Sequence, residues 1–523
     1  MRLINLADLQ NLTLEEFVGR PEPYAILSHR WGDEEVSYQD FLDVQRRTQR
    51  AGNAKIMMLA KQAHKDGLKY AWMDTCCIDK TSSAELGEAI NSMFKWYQRA
   101  RVCYAYLEDV EVRSSLESAS VDFSSSQWFK RGWTLQELIA PSNVRFFSKE
   151  WVEIGNKAEM VDLLHSTTRI DKEVLRGGRL NGVSVARRMS WAASRQTTRE
   201  EDIAYCLMGI FELNMPTIYG EGSKAFMRLQ EEIIKEYDDH SLLAWQAISE
   251  SFPSGTLFRG VLATSPAEFA QSYDIEPFRD LDGTDPLTIT SKGLQITSIV
   301  GPSSSQNMLI GLNCRQQHGN IRGVVAIELA SDGGNQYIRV RPSKLFNLLP
   351  SPSIHEMTLY IVKHSARNIL NLPPHLNWRY GISIEALPRN IYISSVYPST
   401  VNYDRELGIL EMQPRTGERG VAVLALRSGM SPYGGLITFE VAFDEHTHKY
   451  SCSFLTEDFI EGIQASEEES ARASLHKLNE KDSNRVPPLK SLTKPIWVGR
   501  TEFSVSVEFG KVQGIEMFLV HVF

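Results

Sequence analysis

The run Tyr24-Ala-Ile-Leu-Ser-His-Arg-Trp31 opens the part of the chain that decides its fold. It is a short apolar stretch that ends in polar residues, a pattern typical of a buried strand that delivers side chains to the edge of a sheet. Two similar runs follow it, Tyr70-Ala-Trp-Met-Asp74 and Val102-Cys-Tyr-Ala-Tyr-Leu107, and apolar residues at helical spacing separate the three. This alternation of strand and helix predicts a parallel sheet with right-handed crossovers.

The polar ends of the predicted strands indicate where a ligand would bind, because ligands of such sheets lie beyond the carboxyl ends of the strands. The loops at these ends begin with Ser28-His29-Arg30-Trp31, with Asp74-Thr-Cys-Cys-Ile-Asp79-Lys80 and with Glu108-Asp109. A further helix is predicted over about residues 128–139, followed by a strand at Val144-Arg-Phe-Phe147. We therefore expect a ligand site built from these loops.

Beyond the predicted sheet, the pattern of the sequence changes twice. Residues from about 183 to 237 have helical periodicity, and a helical annex over about residues 161–245 is predicted to pack on an α/β core of about residues 20–160. Residues 258–523 carry short alternating runs such as Gly420-Val-Ala-Val-Leu-Ala-Leu426, typical of an all-β sandwich or barrel. The predicted fold class is therefore an α/β amino-terminal domain at residues 1–245 and an all-β carboxy-terminal domain at residues 258–523.

The composition excludes several classes of protein. Lys and Arg total 56 against 65 Asp and Glu, and a formal net charge of -9 over 523 residues argues against general nucleic-acid binding. No run approaches the roughly 20 apolar residues that cross a bilayer, and Asp8, Glu15 and Glu16 interrupt the start where a signal peptide is apolar. We expect a cytoplasmic protein without a membrane span. The six cysteines form no C-x-x-C motif, so no metal site is expected.

Four dense motifs occur in the first half of the chain: Tyr24-Ala-Ile-Leu-Ser-His-Arg-Trp-Gly32, Asp74-Thr-Cys-Cys-Ile-Asp-Lys80, Arg131-Gly-Trp-Thr-Leu-Gln-Glu-Leu138 and Arg199-Glu-Glu-Asp-Ile-Ala-Tyr-Cys-Leu-Met-Gly-Ile-Phe211. In order and spacing they resemble the fungal heterokaryon-incompatibility (HET) domain, over roughly residues 1–245. The resemblance implies a fungal protein of nonself recognition, a form of innate immunity that ends in programmed cell death. The β-rich remainder resembles the accessory region that often follows this domain.

The HET family is also described as a remote relative of TIR domains, some of which hydrolyse NAD. In TIR enzymes the catalytic Glu lies on the helix after the third strand, in a motif resembling Ser-x-x-Trp-Cys-x-x-Glu-Leu. Here Gly132-Trp133-Thr-Leu-Gln-Glu137-Leu138 occupies that place. The resemblance therefore implies a TIR-like sheet and an enzyme that hydrolyses NAD to nicotinamide and ADP-ribose as a homo-oligomer, with NAD as substrate and no cofactor.

Glu137 is the candidate catalytic residue. Trp133 lies four residues before it, so on a helix the two side chains share one face, and the carboxylate would lie in a pocket of reduced polarity. Nicotinamide leaves NAD as a neutral molecule, so the difficult step is to stabilise positive charge on the ribose, and a fixed carboxylate does this electrostatically. The alternative is that Glu137 caps or ion-pairs a helix while Trp133 packs in the core.

The end of the first strand supplies four candidate binding residues. Arg30 and His29 are suited to the pyrophosphate, because a guanidinium pairs with phosphate oxygens in a bidentate manner. The alternative is a buried Arg30 paired with Asp74 or Asp79. Ser28 either helps through its hydroxyl or serves as a turn residue. The Trp31 indole either stacks on a base of the ligand or packs in the core.

The second loop supplies two acidic candidates. Asp74 and Asp79 either bind ribose hydroxyls, as acidic residues do in dinucleotide sites, or cap the next helix. Cys76 or Cys77 paired with His29 would suggest a thiol hydrolase, but nothing local lowers the pKa of either thiol. Two other functions stay open: a noncatalytic adaptor that recruits other proteins, and a sensor whose Arg30 and Asp74 hold a nucleotide. A protein trigger acting through the β-rich domain fits each of them.

Overall fold

A computed structural model describes residues 1–111, 122–248, 258–278, 285–303, 307–317 and 323–363. In the last part of the chain it describes residues 382–384, 387–388, 391–397, 402–404, 409–411, 419–428, 433–444, 449–460, 485–486, 492–498, 501–512 and 515–522.

A seven-stranded sheet organises the amino-terminal region. Its strands are β1 Arg2–Asn5, β2 Thr13–Glu16, β3 Tyr24–His29, β4 Tyr70–Trp72, β5 Val102–Tyr106, β6 Val144–Phe147 and β7 Glu153–Asn156. They follow the order β2-β1-β4-β3-β5-β6-β7. Strand β3 pairs in parallel with β4 and with β5, and β5 pairs in parallel with β6. The predicted α/β region with parallel strands is confirmed.

The edges of this sheet were not predicted. Strands β1 and β2 form an antiparallel pair beside β4, and β7 is antiparallel to β6. These edge strands are four residues long and mostly half-exposed or exposed, so they lack the apolar run that identified β3. By contrast, all six residues of β3 are buried. The next two strands of the chain, β4 and β5, lie on opposite sides of β3, which marks the crevice where parallel sheets bind ligands.

Short helices connect and cover the strands. Outside the 3-10 turns they are α1 Tyr38–Leu42, α2 Val44–Gln49, α3 Asn53–Lys65, α4 Asp74–Cys77, α5 Ser83–Arg99, α6 Thr134–Ile139, α7 Val161–Thr168, α8 Lys172–Leu175, α9 Val185–Ser190, α10 Asp202–Tyr205 and α11 Lys224–Glu236. Helix α3 buries a face with Ile56, Leu59 and Ala63, because these apolar residues recur at helical spacing. Within the described residues, no helix has the length and apolar character needed to cross a membrane.

The helix predicted over residues 128–139 is wrong in its first half. The chain forms a 3-10 turn at Gln127–Lys130, and α6 begins only at Thr134. Between them, Arg131 pairs with Gln196 in an isolated bridge, and the Gly132 N–H donates to the Gln196 carbonyl at 2.8 Å. A Cβ on Gly132 would lie 2.5 Å from the Thr197 side chain. The annex therefore comes so close to the backbone of residue 132 that only glycine fits at this position.

The strands after residue 258 fall into two groups. The first comprises β8 Phe258–Arg259, β9 Ile275–Pro277, β10 Thr288–Thr290, β11 Gly293–Pro302, β12 Met308–Gly311, β13 Cys314–Gln316, β14 Val324–Gly333, β15 Gln336–Val340, β16 Phe346–Leu348 and β17 His355–Ile361. Eight of these form one sheet, and β9 pairs with β13. Their buried residues join a continuous hydrophobic core that extends from Leu3 to Ile361. Part of the strand-rich region therefore shares its core with the amino-terminal half.

The second group forms a six-stranded and a five-stranded sheet. Its strands are β18 Ile382–Ile384, β19 Ile391–Tyr397, β20 Asn402–Asp404, β21 Ile409–Glu411, β22 Arg419–Ser428, β23 Tyr433–Asp444, β24 Lys449–Ile460, β25 Arg485–Val486, β26 Leu492–Val498, β27 Thr501–Val512 and β28 Ile515–Val522. Buried residues of both sheets form a separate core. The strand-rich character is confirmed, whereas the sandwich or barrel stays a prediction.

A buried arginine joins the first group of strands to the helical annex. Arg339 of β15 is fully buried and donates to the carbonyls of Leu243 and Trp245 at 3.0 and 2.6 Å. Its guanidinium lies 3.8 Å from the centre of the Trp245 ring, a cation–π contact. The Trp245 indole N–H in turn donates to the Val261 carbonyl at 2.8 Å. Trp245 is thus fixed between the annex and the strands.

Replacement of this arginine tests the shared core. We expect Arg339→Ala to lower the free energy of unfolding by about 3 kcal/mol, because two buried carbonyls lose a charged donor and Trp245 loses its stacked partner. Urea denaturation followed by tryptophan fluorescence measures the change. The exposed Arg20→Ala is the control and should be nearly neutral. If Arg339→Ala lowers the free energy of unfolding no more than the control does, Arg339 does not stabilise the shared core.

Candidate functional site

A cavity of about 470 Å³ lies at the carboxyl ends of β3 and β4. This volume falls within the range of about 300–1,000 Å³ typical of small-molecule sites. The end of β3 and the loop after it contribute residues 29–31, α4 contributes Asp74, and the segment that leads into α6 contributes Arg131 and Trp133. Helix α6 adds Glu137, and the helical annex closes the other side. The cavity therefore joins the sheet edge to the annex.

The Glu137 carboxylate lies at the buried end of this cavity and is 8% exposed. Its Oε2 accepts a hydrogen bond from the Ser28 hydroxyl at 2.5 Å, and Ser28 accepts one from the Trp128 indole N–H at 2.8 Å. Burial is the main influence on the carboxyl and raises its pKa to about 7, against the opposing hydrogen bond from Ser28. The negative charge of Asp74 also raises the pKa, and Arg131 lowers it. Glu137 thus changes its charge near neutral pH.

Asp74 forms the centre of a hydrogen-bonded cluster at the mouth of the cavity. The His29 Nε2 atom lies 3.2 Å from its Oδ1, and the Trp31 indole N–H donates to its Oδ2 at 2.8 Å. Burial disfavours the charged carboxylate, but the contact with His29 and the charge of Lys80 outweigh it and lower the pKa of Asp74. Both carboxylate oxygens are therefore used within the protein, and they orient His29 and Trp31.

Trp31 and Arg30 are available to a ligand. Trp31 is 43% exposed, and the Lys80 Nζ lies 3.5 Å from the centre of its ring, so the alternative of core packing is wrong. Arg30 is exposed and lines the cavity. Its guanidinium makes no hydrogen bond or ion pair with any other residue that the structure describes. The alternative of a buried Arg30 paired with Asp74 or Asp79 is therefore also wrong.

The structure does not bring Asp79 to the cavity. Its Oδ1 accepts hydrogen bonds from the Gln39 amide at 2.8 Å and from the Thr81 hydroxyl at 2.6 Å, which hold a turn after α4. The short α4 helix turns the chain between Asp74 and Asp79, so only the first of these carboxylates faces the ligand space. Ser28 does not line the cavity; it donates a hydrogen bond to Glu137, which does.

Cations of the cavity were missed by the sequence analysis. Lys80, Lys130, Arg131 and Arg199 line it together with Arg30, whereas its acidic residues are Asp74, Glu137 and Asp202. Three of the four motifs each have a basic residue as their first or last residue: Lys80, Arg131 and Arg199. This position in the motifs could have identified them. The cavity thus concentrates positive charge in a chain whose formal net charge is -9. Such a site favours an anionic ligand.

Thiol chemistry has no support in this geometry. Cys76 and Cys77 are both buried, and burial raises the pKa of the Cys76 thiol well above its ordinary value, which disfavours the reactive thiolate. Over the described ranges, no group of three or more His, Cys, Asp or Glu side chains is placed to hold a metal ion.

Comparison with known proteins finds two family matches in the chain. The family model of the heterokaryon incompatibility protein (HET) matches residues 24–121, and a domain of unknown function, DUF8212, matches residues 224–282. The vegetative incompatibility protein HET-E-1 of Podospora anserina is 51% identical over 227 residues, which are 42% of this chain and 16% of that protein. The chain thus matches only a small part of that relative's length.

No solved structure matches the chain. The family match contains Ser28, Arg30 and Asp74, and Glu137 lies beyond its end at residue 121. Two of the four motifs that resemble the HET domain, Tyr24–Gly32 and Asp74–Lys80, lie within the family match. The resemblance of the amino-terminal part of this chain to the HET domain is therefore confirmed.

Proposed function

We propose that this protein acts in fungal nonself recognition and programmed cell death, and that its HET domain hydrolyses NAD when the protein oligomerises. The similarity to a vegetative incompatibility protein supports the biological role. The observation that carries the chemical role is the buried Glu137, whose pKa is raised to about 7 at the end of a cation-rich cavity. We expect the protein to act in the cytoplasm, with its β-rich region restraining the HET domain or binding a protein trigger.

The cations of the cavity fit the negatively charged part of NAD. Arg30 is exposed and lines the cavity, and Arg131 lies on the wall that leads to Glu137. A guanidinium binds phosphate oxygens in a bidentate manner, so these residues are suited to the pyrophosphate. The half-exposed Trp31 indole offers a surface on which a ring of the ligand can stack. The ligand would then extend from the mouth toward Glu137.

Ionised Glu137 would stabilise the reacting sugar. When the bond between nicotinamide and the ribose breaks, its electron pair leaves with neutral nicotinamide, and positive charge develops on the ribosyl group. A carboxylate fixed in a site of low polarity lowers the energy of that charge more than it would in water. Water then adds to the ribosyl carbon and releases a proton, which completes nicotinamide and ADP-ribose. The Ser28 hydroxyl holds the carboxylate in place through its hydrogen bond.

A nucleotide-binding sensor is the second candidate function. The same cations and aromatic surface would bind a nucleotide without cleaving it, and assembly of the protein would then follow ligand binding. The two proposals differ only in what Glu137 does to the bound molecule.

Replacement of the Glu137 carboxylate by its amide distinguishes the enzyme from the nucleotide-binding sensor. We expect Glu137→Gln to lower NAD turnover by at least about 100-fold, because the amide cannot stabilise the ribosyl cation. Chromatography of nicotinamide and ADP-ribose measures turnover by the purified full chain, clustered by fusion to a coiled-coil tetramer. The exposed Glu88→Gln on α5 is the matched control and should retain activity.

Turnover that is equal in both variants, or absent from the clustered wild-type chain, would contradict the enzymatic proposal. Tight binding of NAD without any product would select the sensor.

The ionisation of Glu137 gives a pH dependence. Because the ionised form is the active one, kcat/KM should rise with pH through about 7, the pKa to which burial raises this carboxyl. Ser28→Ala removes a hydrogen bond that lowers this pKa, so the midpoint should move to higher pH. Initial rates between about pH 5 and pH 9 measure both profiles. A flat profile, or a midpoint that moves downward in Ser28→Ala, would contradict this assignment.

A further inference from the structure

The motif that begins at Arg199 fixes a distant segment of the annex. Oε1 of Glu201 accepts hydrogen bonds from the backbone N–H groups of Gly220 and Gly222 at 2.7 and 3.1 Å. Both glycines adopt left-handed backbone angles, with φ of +100° and +60°, which other residues adopt only with strain. The turn at residues 220–222 therefore depends on this carboxylate.

Tyr205 fixes Ile218, which lies two residues before that turn. Its hydroxyl accepts a hydrogen bond from the Ile218 N–H at 2.8 Å and lies 3.0 Å from the Ile218 carbonyl, to which it can donate. Glu221, on the other side, forms an ion pair with Arg228 of α11. The segment that carries Tyr219 is thus fixed from both ends, and its position is set by the motif.

Asp202 connects this segment to the start of α6. Its Oδ1 accepts from the Tyr219 hydroxyl at 2.9 Å, and its Oδ2 accepts from the Trp133 indole N–H at 3.4 Å. The Arg199 guanidinium lies 4.3 Å from the centre of the Tyr219 ring. All four side chains line the cavity. We call Trp133, Asp202 and Tyr219 the annex wall.

We propose that Asp202 and Tyr219 are positioning and specificity-determining residues, which hold the ring of the nicotinamide end beside Glu137. This inference rests on the proposed NAD chemistry. Trp133 and Glu137 lie four residues apart around the start of α6, and both face the cavity. The group next to the annex wall is therefore the one whose bond to the ribose breaks. The Trp133 ring beside the Asp202 carboxylate suits a flat, positively charged ring such as the pyridinium of NAD, whereas the Tyr219 ring already contacts the Arg199 guanidinium.

Two ligands that differ only in nicotinamide test the inference. The full chain with Glu137→Gln, which should bind without turnover, is titrated with NAD and with ADP-ribose by calorimetry. Asp202→Ala and Tyr219→Phe are then added one at a time. Tyr219→Phe removes only the hydroxyl that bonds to Asp202 and retains the ring. The exposed Glu200→Gln, from the same motif, is the control.

We expect each wall variant to weaken NAD binding by about tenfold and to leave ADP-ribose binding unchanged, as loss of one or two local interactions predicts. The control should bind both ligands normally. Equal weakening of both ligands would overturn the inference, since it would indicate a general disturbance of the cavity. Unchanged NAD binding would also overturn it, while leaving the proposed function intact. If the parent chain binds no NAD, the proposed function and this inference fail together.

Discussion

The hydrogen bond from the Ser28 hydroxyl to the Glu137 carboxylate joins residues 109 positions apart, and the geometry of the cavity depends on it. A six-residue helix such as α6 is not stable alone, so tertiary contacts must hold it. The Trp128 indole fixes Ser28 from one side. At the other end of α6, the buried Lys157 ammonium donates to the carbonyls of Ile139 and Pro141 at 3.1 and 2.9 Å. The carboxylate is thereby kept in a site of low polarity, which is what raises its pKa.

The main strands and the site edge were predictable because their signals are local. A fully buried parallel strand such as β3 needs a continuous apolar run, and the polar residues at its end identify the ligand-binding edge. The interruption before α6 was not predictable, since it depends on Gly132 meeting Gln196 across 64 positions of the chain. The prediction that Asp79 binds the ligand did not hold for a related reason. Asp79 is close to Asp74 in the sequence, but the chain turns at α4 and places the Asp79 carboxylate next to Gln39 and Thr81.

The annex extends the candidate ligand site beyond the parallel sheet. The HET family model ends at residue 121, yet Glu137, Asp202 and Tyr219 line the same cavity as Arg30 and Asp74. Two neighbouring carboxylates of one motif have different roles. Glu201 accepts hydrogen bonds from the backbone of a turn, and Asp202 faces the cavity. Sequence spacing identifies such a motif but cannot assign these roles, which depend on glycines about 20 residues away adopting left-handed angles. The loops after the strands place Arg30 and Lys80 at the cavity, and the annex places Asp202 and Tyr219 there.

We propose that one cavity holds both the phosphates and the cleavable ribose of NAD. A crystal structure of Glu137→Gln soaked with NAD would locate both groups. We expect density in the cavity, with the pyrophosphate near Arg30 and the nicotinamide ribose within hydrogen-bonding distance of residue 137. Density for NAD elsewhere on the protein, or a ligand in the cavity with its nicotinamide ribose turned away from residue 137, would contradict it.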